Sequence, residues 1–83
     1  MPNKRAIIIM EDNECCTVKT VNKSTYEKIQ NMIEDEFSEA EIVESVAELS
    51  TGDENVIVSE VPMSDAIDAA LDISEDYIIL EAN

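Results

Sequence analysis

Histidine and tryptophan are missing from this sequence, glycine occurs once, and the only two cysteines stand side by side at Cys15 and Cys16. Without histidine, the side chain best suited to proton transfer near neutral pH is gone. The Ser-His-Asp and Cys-His nucleophile sets and the usual zinc ligand sets go with it. A lone Gly52 cannot build a glycine-rich phosphate loop. Tyr26, Phe37 and Tyr77 are the only aromatics, so an aliphatic core is expected and a stacking platform for bases is not. The adjacent cysteines cannot readily pair with each other. On a strand their side chains point to opposite faces, one toward the core and one toward solvent, as reduced structural thiols of a cytosolic protein. Long apolar runs are missing too. Ala6 to Met10 follows Lys4 and Arg5 but soon meets Glu11 and Asp12, which is too short for a leader, and a membrane span needs about 20 apolar residues. The expectation is a soluble, cytoplasmic protein that is not an enzyme and holds no metal or cofactor.

Positive charge is the scarcest property of all. Five Lys and Arg face twenty Asp and Glu, for a formal charge of −15, and no basic residue follows Lys28. Solubility alone asks a small domain for a net charge of magnitude roughly 2–8. The surplus repels itself, and it draws the molecule toward positive surfaces. Direct binding of nucleic acid or of an anionic membrane is excluded on the same ground, since both require Lys and Arg to displace counterions.

What is present is periodicity. Apolar residues make up 45% of the 83-residue chain, enough for a folded domain with a small core. Residues 5–10 read as a strand entering the polar tetrad Glu11, Asp12, Asn13, Glu14, and the β-branched alternation of residues 15–21 reads as its antiparallel partner. Ser24 and Glu27 have the spacing of a capping box, and Tyr26, Ile29, Ile33 and Phe37 then form an apolar stripe that predicts a helix to about Phe37. Residues 38–50 admit two readings. Ser38 and Glu41 again match a capping box and separate Glu41, Glu44, Ser45 and Glu48 from Ile42, Val43, Val46 and Leu49. The β-branched residues also suit a strand that turns back through residues 51–55. A strand over residues 55–61 ends at Pro62. Ser64 offers an N-cap for a helix that buries Ile67, Ala70 and Leu71, with Ala66 beside them, to about Ser74. Residues 77–80 complete a parallel crossover whose last strand is expected inside the sheet. The fold expected is one α+β domain over residues 1–83 in two layers: an N-terminal β-hairpin plus a β-α-β unit, about four strands under two or three helices.

The candidate partner-binding residues are acidic. Asp65, Asp68, Asp72, Glu75 and Asp76 would line one helix face over roughly 16 Å, with neighbours about 5–6 Å apart, comparable to phosphates along a nucleic-acid strand. Glu41, Glu44 and Glu48 repeat the arrangement if their segment is helical, and Glu11, Asp12 and Glu14 add a cluster at the hairpin turn. A solvated helix face is the plain alternative for any one row. A glycosidase pair lacks a cleft with aromatic walls, and Asp53, Asn55 and Glu60 around Gly52 do not follow the order of a calcium loop. The expected partner is a basic, nucleic-acid-binding protein. By analogy with small viral proteins that disarm host nucleases, restriction or CRISPR systems, the chain would mimic DNA and inhibit. An antitoxin or immunity protein neutralising a nuclease shares the same electrostatics. A structural adaptor, including a homodimer, is the reading in which charge serves solubility alone.

Overall fold

A computed structural model of the chain describes residues 4–49 and 55–82. Its elements run β1 (Lys4–Asp12), β2 (Cys15–Asn22), α1 (Lys23–Glu34), α2 (Glu39–Leu49), β3 (Asn55–Val61), α3 (Met63–Ile73) and β4 (Tyr77–Glu81). The strands form one mixed sheet in the order β3-β2-β1-β4. β2 is antiparallel to both β1 and β3, and β4 is parallel to β1, so β1, β3 and β4 all end at the same end of the sheet. The expected α+β class, N-terminal hairpin and four strands are all present.

The layering and the place of the last strand differ from expectation. Alternation along β1 sends Ile7 and Ile9 to one face, where they meet Tyr26 and Ile29 of α1 and Ile42 and Val46 of α2. Ala6, Ile8 and Met10 go to the other face, against Ala66 and Ala70 of α3. Helices thus cover both sides and make three layers, not two. A strand apolar at every position, as Ile7-Ile8-Ile9 is, needs cover on both faces. β4 lies at an edge and not inside the sheet, because the crossover from β3 passes over both hairpin strands.

Segment 39–49 is helical. Ser38 Oγ accepts from Glu41 N–H at 3.3 Å, and Ile42 and Val46 bury one face. The turn expected over residues 51–55 lies, up to residue 54, outside the described residues. At α1 the cap is Asn22, not Ser24: Asn22 Oδ1 accepts from Thr25 N–H at 3.1 Å and from the Ser24 hydroxyl at 2.8 Å. An Asx cap two residues earlier supplies the acceptor that Ser24 was expected to provide. α1 also stops short of Phe37. Phe37 N–H reaches Met32 C=O and Glu36 N–H reaches Ile33 C=O, a Schellman closure with Glu36 at φ 62°. The chain therefore leaves before Phe37 can join the stripe, and Ile33 and Phe37 remain 42% and 45% exposed.

α3 starts at Met63 after Pro62 with no side-chain cap, so Ser64 sits in the first turn and not at the cap. Its start is fastened instead by Met63 N–H to Asn13 C=O at 3.1 Å. The buried stripe centres on Ala66 and Ala70, whose lack of bulk lets the helix lie close on Ala6, Ile8 and Val18. Leu71 falls more than a quarter turn from that stripe and is half exposed, against the expectation that it faces inward.

Candidate functional site

The carboxylates of α2 and α3 stand in the same register. Glu41, Glu44 and Glu48 flank the buried Ile42 and Val46, and Asp65, Asp68 and Asp72 flank the buried Ala66 and Ala70, in each case at i, i+3 and i+7. Each row lies about 120° to 180° round the helix from its buried stripe, so helical geometry points it away from the sheet and keeps it exposed. Neither helix carries a Lys or Arg. Among the described residues, Asp65, Asp68 and Asp72 make no ion pair.

The five-residue row expected on α3 is cut to three. The helix closes at Ile73 with Ser74 as C-cap, which leaves Glu75 and Asp76 in the connection to β4. Asp76 lies at the end of the sheet where β1 begins. Burial there pushes the Tyr26 hydroxyl above its ordinary value, the Asp76 charge adds to the shift and Arg5 opposes it. The two helical rows also do not form one surface, because α2 and α3 cover opposite faces of the sheet.

Between them lies an acidic end that sequence reasoning only partly found. Val61, Cys16, Met10 and Glu81 pair across the four strands in one row. Glu11, Asp12 and Glu14 lie just past that row, where β1 bulges between Met10 and Asp12 before turning at Asn13 and Glu14. Glu60 joins them from a bulge in β3, with its backbone at φ 57°. Cys15 registers this crowding. Burial, a 3.5 Å hydrogen bond to Glu11, and the charges of Glu11, Asp12 and Glu60 all push its thiol above the ordinary value. Cys16 is fully buried and is likewise raised, by burial and by Asp12. The missed members are Glu39, Glu60 and Glu81. Their only signal was position, Glu60 and Glu81 close to the ends of strands that run the same way, and that direction is not written in local sequence.

Glu39 has a structural task as well. Its Oε2 accepts from Glu81 N–H at 2.7 Å, tying the first turn of α2 to the outer edge of β4. Beside this clasp a cleft of about 250 Å³ is lined by Ile33, Phe37, Glu39, Ile42, Ile79 and Leu80. A second hollow, of about 260 Å³, opens at the acidic end among Met10, Glu11, Asp12, Asn13 and Glu81. Among the described residues no three His, Cys, Asp or Glu are grouped so as to hold a metal ion. No helix of the described residues is long and apolar enough to cross a membrane.

No protein-family model, curated protein or solved structure matches the chain. The surface itself is therefore the ground for a functional reading. It consists of exposed carboxylates on two helices and at one end of the sheet, with an apolar cleft where α1, α2 and β4 meet.

Proposed function

We propose that this protein is an acidic inhibitor that occupies the basic, nucleic-acid-holding surface of another protein and blocks it. The observation that carries the reading is the repeated register of α2 and α3. Each presents three exposed carboxylates at about 5–6 Å steps, on a stretch of chain with no basic residue to neutralise them. Like charges at this spacing cost each helix a few tenths of a kcal/mol per pair, a cost that a cationic partner would relieve. A cytoplasmic setting fits two unpaired thiols.

An immunity or antitoxin role uses the same contacts, and it differs only in whether the blocked nuclease is the cell's own. The adaptor reading draws its support from the apolar cleft, not from charge.

The test is capture of partners from lysate by the immobilised protein at about 0.05 M and about 0.5 M salt, with duplex DNA and RNA as competitors. The expected outcome is recovery of nucleic-acid-binding proteins at low salt. They should be released by nucleic acid and lost at high salt, where the Debye length shrinks from above 10 Å to about 4 Å. Partners retained equally at both salts and indifferent to nucleic acid would overturn the reading in favour of the adaptor.

A further inference from the structure

The two edges of the sheet are unlike. β3 carries two register shifts against β2, one at Ile57 and one at Ser59 and Glu60, and such bulges twist an edge away from further pairing. β4 is unbroken: Ala6 to Met10 pair in step with Tyr77 to Glu81. In this parallel ladder Ala82 N–H reaches Met10 C=O, so the alternate residues Tyr77, Ile79 and Glu81 turn their N–H and C=O groups outward. Glu39 takes the outward N–H of Glu81. Among the described residues, nothing pairs with the outward groups of Ile79. The cleft of Ile33, Phe37 and Ile42 lies directly alongside. Ile33 and Phe37 are each about two-fifths exposed, an apolar pair beside the open strand edge, while alternation turns the Ile79 side chain to the α3 face.

We infer that the β4 edge accepts an extended cationic segment of the partner as a fifth strand, with an apolar side chain of that segment seated in the cleft. The inference rests on the reading above and locates its contact. Charge complementarity selects the occupant. Glu39 stands in the cleft wall, Glu34 and Glu36 adjoin its lining residues Ile33 and Phe37, and Asp76 and Glu81 bracket the apolar part of β4. A second copy of the chain would add its own net charge of −15 to the same edge, whereas a cationic strand is drawn to it; with its apolar side chains in the cleft, its alternate lysines turn to the other face of the sheet, the one that Glu81 shares. Backbone pairing then supplies affinity, and the cleft supplies register and a size limit.

The probe is a short peptide alternating lysine with leucine or valine, titrated into the full chain and followed by backbone amide NMR. A second peptide of the same sequence is N-methylated at alternate residues, which keeps its charge and removes its strand-pairing edge. The first peptide is expected to shift the amides of Tyr77, Ile79, Ile33 and Phe37, and the methylated one to bind about tenfold more weakly. Ile79→Pro should weaken the first peptide similarly while leaving the ladder to β1 intact, since the lost N–H points outward. Phe37→Ser, at an already exposed site, should weaken it without touching the strand.

If both peptides bind alike and shift only the helical carboxylate rows, the strand-addition inference falls and the wider reading stands. If neither binds at low salt, both fall. If the edge amides shift with protein concentration alone, and more strongly as salt is raised, the occupant is a second copy and the inference is overturned.

Discussion

Glu36 holds a backbone position that glycine ordinarily fills. At φ 62° the Cβ of a non-glycine residue crowds its own carbonyl, at a cost on the order of 1 kcal/mol, yet the Schellman closure of α1 requires that conformation. Glu36→Gly is expected to raise unfolding stability in urea by about 0.5–1 kcal/mol, part of the relief being offset by the greater freedom of glycine in the unfolded chain. Glu36→Ala removes the same charge but keeps the Cβ, so it should gain little. Equal gains would assign the effect to charge and not to backbone strain. Cys15 makes a second residue-scale case. Burial first, and then the Glu11 hydrogen bond and the charges of Glu11, Asp12 and Glu60, disfavour the thiolate, so at pH 8 it should react with iodoacetamide more slowly than a cysteine in a short neutral peptide, and Glu11→Gln should speed it. Unchanged rates in the variant would mean that Glu11 does not control the thiol. At this scale the sequence was only partly legible. The Ser38 cap was readable because its acceptor lies three residues before the amide it serves, while Asn22 was hidden by a serine with equally good spacing two residues later.

Periodicity identified every strand and two of the helices, since alternation and a 3.6-residue stripe are local properties. Segment 39–49 stayed ambiguous because β-branched Ile42, Val43 and Val46 suit either state. It is helical because that state turns Ile42 and Val46 together onto Tyr26 and Ile29. The stripes of α1 and α3 were each read too widely, Phe37 and Leu71 being included for their apolarity alone. Backbone geometry excludes the first, and angular position excludes the second. On α3 the price of the carboxylate row is measurable. Asp68 has Asp65 three residues before it and Asp72 four after, with no cation on the helix. Asp68→Lys turns two repulsive pairs into two attractive ones and is expected to stabilise the protein by about 1 kcal/mol in urea denaturation. A destabilised variant would mean that the row is already compensated.

Strand direction and order cannot be derived from any one segment, and they decide how the charges are arranged across the molecule. The sequence suggested rows of acids, but not that α2 and α3 would face opposite ways, nor that Glu60 and Glu81 would meet Glu11, Asp12 and Glu14 at one end. The consequence is that a compact basic partner can engage one helical row closely and only one. The α2 row shares its side with the Glu39 clasp, the apolar cleft and the open β4 edge, whereas α3 contacts mainly β1, β2 and β3. Neutralising Glu41, Glu44 and Glu48 to Gln is therefore expected to weaken a captured partner about tenfold or more and to flatten the salt dependence of its affinity. Neutralising Asp65, Asp68 and Asp72 to Asn should slow association modestly through the lost long-range field, with little change in dissociation. Association and dissociation rates measured at several salt concentrations separate the two. Equal losses from both triples, confined to association, would show that the charge acts as a diffuse field with no row in contact.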